Sequence, residues 1–91
     1  MTKELQLEDL FNNASKTAKL LPVSTHNDDL LCLYGFYKQA TIGDCNVEQP
    51  LYNIFDLKPY KKWEAWTKNK GMTKEKAMKN YINTIKILLG L

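Results

Sequence analysis

Apolar residues recur three and four apart in four separate stretches of the chain, the period of an amphipathic helix. In the first stretch Leu7, Leu10, Phe11, Ala14, Ala18 and Leu21 keep this spacing. Thr2 is placed to cap it, and Glu4, Glu8 and Asp9 sit where the positive end of a helix dipole favours acids. Lys19 falls near the C-terminal end, where a cation is favoured, and Pro22 argues against further helix. Val23 to Asn27 is a polar connection; Thr25 and Asp28 fit a capping box for a second helix, with His26 in that cap or in solvent. The second helix carries Leu30, Leu31, Leu33, Tyr34, Phe36, Tyr37, Ala40 and Ile42. So broad an apolar surface must touch more than one neighbour, which makes this the central helix, and Gly43 closes it.

Between Gly43 and Lys58 no period is sustained. Pro50 is followed by the apolar group Leu51, Tyr52, Ile54, Phe55 and Leu57, and a loop of this length in so short a chain is expected to be packed by its own side chains. A third helix is expected to start near Pro59, which suits a first-turn position, and to end at Gly71. Trp63 and Trp66 are its core anchors, with Lys62 beside them. Thr73 then caps the last helix, with Met72 and Ala77 as a hydrophobic staple. Ala77, Met78, Tyr81, Ile82, Ile85, Leu88 and Leu89 form its buried stripe. The pattern is all-α.

Ninety-one residues fit a single domain, 1–91, with one core. Hydrophobic residues at 44% and charged residues at 25% are ordinary for a folded soluble protein, which excludes disorder as the default. Nothing reads as a membrane span or a cleavable signal, since Met1-Thr2-Lys3-Glu4 leads directly into the amphipathic pattern, and a cytoplasmic location is expected. Cys32 and Cys45 lack metal-ligand spacing and are expected to be free thiols, with no metal site.

The formal charge is +3, and all 13 cations are lysines. Their placement says more than their number. Eight lie between Lys58 and Lys79 against Glu64 and Glu75, whereas residues 1–57 carry four against eight acids. The C-terminal half is the half suited to phosphate, although most of its lysines are expected simply to solvate helix faces. On the second helix, Tyr34, Tyr37, Lys38 and Thr41 fall on one stripe. A core-facing stripe rarely includes a lysine and a solvated one rarely spends two tyrosines. That mixture suits a ligand with both a flat ring and a negative charge.

Tyr34-Gly-Phe-Tyr-Lys-Gln-Ala-Thr-Ile-Gly-Asp-Cys-Asn46 resembles the acyl-CoA-binding protein family, whose members carry a Tyr-x-x-Tyr-Lys-Gln-Ala-Thr-x-Gly-Asp-x-Asn segment. Lys61-Lys62-Trp63-Glu64-Ala65-Trp66 is similar to the family's Lys-Trp-x-Ala-Trp block, and Ala77-Met-Lys-Asn-Tyr81-Ile to its Ala-Met-x-x-Tyr-Ile block. Three blocks in the right order cover nearly the whole chain. The resemblance implies a four-helix bundle with up-down-down-up topology and a binding site made of Tyr34, Tyr37, Lys38, Lys62 and Tyr81. Lys19 joins them if no gap is placed before Tyr34. The chain departs from the family's common form in three places: Pro22 comes a few residues early, the 50–58 loop is about two residues longer, and Pro59 stands where glycine is frequent.

The resemblance implies reversible binding of medium- to long-chain fatty acyl-CoA by a monomeric intracellular carrier that forms an acyl-CoA pool for lipid metabolism. No cofactor or nucleic acid is expected, and contacts with acyl-CoA-using enzymes or membrane surfaces are expected to be transient. Leu30, Leu31 and the Leu51 to Leu57 loop are the expected contributors to the acyl groove. Catalysis is poorly supported: there is no glycine-rich phosphate loop, no nucleophile with a partner, and a single histidine. The alternatives are a nucleic-acid-binding helical module, suggested by the basic 58–79 segment but weakened by the absence of arginine, and a small protein-interaction module.

Overall fold

The computed structural model describes residues 3–91, with side chains from Gln6 onward. The proposed Thr2 cap and the side chain of Glu4 therefore lie outside what is described. Four helices follow one another, α1 (Lys3–Thr17), α2 (Asn27–Thr41), α3 (Lys58–Thr67) and α4 (Lys74–Leu88), with a 3₁₀ turn, Ala18–Leu20, closing α1. Leu21 is extended (φ −62°, ψ 139°) because Pro22 follows it.

Cross-helix contacts fix the directions. Tyr34 meets Lys62 and, one turn on, Lys38 meets Trp66, so α2 and α3 run parallel. Leu7 lies by Met78 and Phe11 against Tyr81, so α1 and α4 are also parallel. Gln39, near the end of α2, bonds to Met72 just before α4, so these two helices oppose each other. The topology is up-down-down-up. The main packing contacts join α1 to α4, α4 to α2 and α2 to α3, which sets the helices side by side in the order α1, α4, α2, α3.

Phe11, Ala14, Leu33, Ala40, Ala77, Tyr81 and Ile85 form the core shared by α1, α2 and α4. Alanines at three of these positions let the helices approach closely. Between α2 and α3 the spacer is Gly35: a Cβ there would run into the Ala65 carbonyl, with its carbon 2.9 Å away. Trp66 anchors α3 with 3% exposure and donates its indole N–H to the Gly43 carbonyl at 2.8 Å. Trp63, expected as a second core anchor, is only half-buried and bonds to the Val47 carbonyl at 3.2 Å, holding the 43–57 loop rather than the core.

The helix ends follow local chemistry, with differences from the sequence expectation. Gly43 takes φ +104°, as expected of a terminating glycine, and Thr73 accepts the Lys76 N–H at 3.1 Å. At α2 the cap is His26, whose Nδ1 accepts the Asp28 N–H at 3.4 Å; Thr25 instead turns its hydroxyl to the Pro22 carbonyl. α3 stops at Thr67, and turns carry the chain to Gly71. The apolar group of the 43–57 loop does not pack as expected. Leu51 and Phe55 are each 91% exposed, and the loop is held mainly by Tyr52 edge-on to Tyr60, with ring centroids 5.0 Å apart. Leu10 and Ile42, expected on buried stripes, are also exposed.

Candidate functional site

α1 and α2 both pack on α4 but only lightly on each other, and a cleft of about 510 Å³ opens between them. Ser15, Lys16, Ala18, Lys19 and Leu21 form one wall, Leu30, Leu33, Tyr34 and Tyr37 the other, and Tyr81 of α4 reaches in between. The short 3₁₀ turn places Lys19 at the rim. Phe11 stacks on Tyr37 at 5.6 Å and meets Tyr81 edge-on at 5.2 Å, while Tyr37 and Tyr81 are 5.9 Å apart. With Phe11 against one face and 41% of the residue exposed, Tyr37 presents an open ring surface to the cleft.

Tyr81 is 5% exposed, and its hydroxyl has no hydrogen-bond partner among the described residues. Burial, reinforced by the neighbouring Tyr37, raises its pKa above the usual phenol value. It therefore stays a neutral hydroxyl, able to donate, across the physiological range.

A second cavity, also about 510 Å³, lies on the far side of Leu30 and Tyr34, which line both. Asn27 and Leu31 of α2 line it with Phe55, Asp56 and Leu57 of the loop and Lys58, Lys61 and Lys62 of α3. Lys62 holds its ammonium 5.4 Å from the Tyr34 ring centroid, so a cation from α3 stands at the partition. A smaller cavity of about 370 Å³ between α2 and α3 mixes Asp28 and Glu64 with Lys61 and Lys68 and includes none of the stripe tyrosines. Among the described residues no three His, Cys, Asp or Glu side chains cluster to hold a metal. Both cysteines are free.

Lys19, Tyr34, Tyr37 and Tyr81 thus surround one cleft, and Lys62 joins them across Tyr34. Lys38 does not. Its ammonium lies 5.1 Å from the Trp66 ring centroid, and it lines neither cavity, because its long stem reaches toward α3.

Two motif residues singled out for no role from sequence have clear ones. Gln39, fully buried, donates Nε2 to Asp44 Oδ1 and to the Met72 carbonyl, each at 2.8 Å. The same Asp44 oxygen accepts the Gly71 N–H at 2.8 Å. The Gly71 bond first, then Gln39 and the charge of Lys70, hold the Asp44 carboxyl below the usual carboxylate range against a smaller opposing desolvation. This latch ties the end of α2 to the α3–α4 turn and leaves Gln39 Oε1 unpartnered.

The family model for acyl-CoA-binding protein matches residues 8–85. This chain belongs to the acyl-CoA-binding protein family. It is 46% identical over 83 residues to acyl-CoA-binding domain-containing protein 1 of Oryza sativa subsp. japonica, covering 91% of this chain and 89% of that one. The acyl-CoA-binding protein of Ricinus communis is 42% identical over 84 residues, covering 92% and 91%. The crystal structure of Oryza sativa acyl-CoA-binding protein 2 superposes with a TM-score of 0.85 at 44% identity, covering 92% of this chain and 91% of that one. The family's all-α fold is the one described above. Among the described residues no helix is long and apolar enough to cross a membrane.

Proposed function

We propose that the chain binds medium- to long-chain fatty acyl-CoA thioesters reversibly, as one acyl-CoA-binding domain spanning 1–91, and carries them as a cytoplasmic monomer without making or breaking a bond. The observation that carries this reading is the pairing of a tyrosine- and lysine-lined cleft with a second cavity across the Leu30–Tyr34 partition. Coenzyme A needs both kinds of surface. Its adenine is flat, its ribose 3′-phosphate and pyrophosphate are anionic, and the acyl chain is apolar.

The open face of Tyr37 suits adenine stacking, worth roughly 1–3 kcal/mol by analogy with base–aromatic contacts. Lys19, Lys62 and the Tyr34 and Tyr81 hydroxyls supply donors to phosphate, charge-assisted bonds contributing about 1.5–3 kcal/mol each. Lys38 joins them by leaving Trp66, an exchange of a cation–π contact for a phosphate. The acyl chain runs past Leu30 and Leu31 toward Leu57 and Phe55, gaining about 0.8 kcal/mol per methylene taken out of water.

Support for a carrier rather than a hydrolase comes from the reactive side chains themselves. His26 has its Nδ1 occupied at the α2 cap, and neither cysteine lines the cleft or the second cavity. No bound cofactor is invoked.

Isothermal titration with acyl-CoAs of increasing length, with free CoA and free fatty acid as controls, tests the proposal. The expected result is one-to-one binding of the thioester, stronger by up to about fourfold per methylene until the groove is filled, and stronger than either half alone. Tighter binding of free fatty acid than of the thioester, or no binding of any thioester, would refute it.

A further inference from the structure

The second cavity differs from a plain apolar groove in the charge at its edge. Leu30, Leu31 and Leu57 give it an apolar floor, but Lys58, Lys61 and Lys62 stand around that floor with Asp56 as the one acid among the lining residues. Asp56 is already engaged, its Oδ1 accepting the Lys58 N–H at 3.3 Å. The ammonium groups are less well matched. Lys62 lies 5.4 Å from the Tyr34 ring centroid and Lys61 is 4.0 Å from Glu64, while among the described residues no carboxylate comes within 4.0 Å of the Lys58 ammonium.

Position along the helices orders these groups. Tyr34 and Lys62 form the partition toward the first cleft, and Asn27 and Lys58 are the first residues of α2 and α3. At the rise of an α-helix, Lys58 lies about 6 Å behind Lys62 and Asn27 about 10 Å behind Tyr34. A chain that enters beside Tyr34 and follows the floor therefore runs toward Lys58, and Lys61, three residues on, shares a helix face with it. The turn before α3 is held in place: Asn53 accepts the Phe55 N–H through its side chain at 2.9 Å and the Asp56 N–H through its carbonyl at 3.0 Å.

We propose that this cavity takes acyl chains of medium length that end in a second carboxylate, the ω-carboxyacyl thioesters of CoA. The inference rests on the acyl-CoA reading and names the acyl class. With the thioester at the Tyr34 partition, the methylenes lie on Leu30, Leu31 and Leu57 and the terminal carboxylate meets Lys58 and Lys61. A methyl-ended chain of the same length leaves both ammonium groups beside hydrocarbon with no counter-charge, whereas a carboxylate supplies one and accepts their hydrogen bonds. Lys58 and Lys61 are exposed, so each pairing is modest, and the carboxylate keeps part of its water. A longer chain carries its carboxylate past Lys58 into solvent, and the preference fades.

The test is isothermal titration, at several chain lengths, with the ω-carboxyacyl-CoA, its ω-methyl ester and the methyl-ended acyl-CoA. At medium length the ω-carboxyl form is expected to bind at least as tightly as the methyl-ended form and up to about fivefold more tightly than the ω-methyl ester, a margin that shrinks as salt rises. In the double variant Lys58→Gln, Lys61→Gln the ratio of ω-carboxyl to methyl-ended affinity should fall by about five- to twentyfold, and Lys58→Arg, Lys61→Arg should restore it. Weaker binding of the ω-carboxyl form than of the methyl-ended form at every length, or the same ratio in the glutamine variant, overturns the proposal while leaving the carrier reading in place. Absence of binding by every methyl-ended thioester overturns the carrier reading and this inference with it, so the two failures are told apart by the methyl-ended series.

Discussion

Tyr37 has one side of its ring against Phe11 and the other open to the cleft, the face proposed to stack on adenine. Tyr37→Ala is expected to weaken acyl-CoA and free CoA alike by about ten- to hundredfold, the worth of one stacked ring, in a calorimetric titration. It should leave free fatty acid binding unchanged, because the second cavity, proposed to take the acyl chain, lies beyond Tyr34. Gly35→Ala acts on packing instead. The added methyl meets the Ala65 backbone, which cannot rotate away, so a loss of about 1–3 kcal/mol is expected in chemical denaturation. Stripe spacing brought Tyr34, Tyr37 and Lys38 to one helical face, and the family blocks added Lys62 and Tyr81. Spacing fixes where a Cα sits and not where a four-carbon stem ends, which is why Lys38 is found over Trp66. Thr25 and His26 exchanged roles for a related reason: either fits a cap from sequence, and the Pro22 carbonyl claims the threonine hydroxyl.

Among the elements, α1 and α3 are the outer helices, packing principally on α4 and on α2 respectively, whereas α2 and α4 each have two principal neighbours. Amide exchange should therefore be faster in Lys58–Thr67 than in the middle of α2 and α4, a difference measurable by native-state hydrogen exchange. The Gln39–Asp44–Gly71 latch adds a pH dependence. Asp44 has its pKa depressed in the folded chain, so its contribution is present above the unfolded carboxyl value, about 3.9, and is lost as pH falls through the lower folded one. Asp44→Asn keeps an acceptor oxygen and removes the charge. Its stability deficit in urea titrations should be constant near neutrality and vanish in acid; a deficit that persists below the folded pKa would show that the charge is not what the latch uses. The helices themselves were legible because period, caps and terminating glycines agreed. The 43–57 loop was not: it has no period to fix which side chains turn inward, and its anchors, Tyr52 on Tyr60 and Trp63 to Val47, join residues that no local spacing connects.

At the scale of the whole molecule, the row α1, α4, α2, α3 leaves α1 and α2 as walls with α4 between them, and this gap is the cleft. Four helices could be read from the chain, but the row could not, since it depends on which helix pairs pack and which do not. The family blocks carried that information only by resemblance. Lysines brought from the end of α1 and from α3 repel one another when no anion lies between them, so ligand should stabilise the fold. At a free acyl-CoA concentration about a hundred times Kd the gain is about 2.7 kcal/mol, a rise in Tm of roughly 10–20 °C for a chain of this size. Free CoA at the same concentration should give a smaller rise.

The central claim is that one thioester occupies the cleft and the adjoining cavity together. An NMR titration of amide and side-chain signals with a long-chain acyl-CoA tests it most directly. Saturation at one equivalent is predicted, with the largest changes at Lys19, Tyr34, Tyr37, Lys62 and Tyr81 and a second set at Leu31, Phe55 and Leu57, which line the second cavity alone, that free CoA does not produce. Changes confined to the 370 Å³ cavity around Cys32 and Lys68, or a second set that free CoA reproduces in full, would contradict the account.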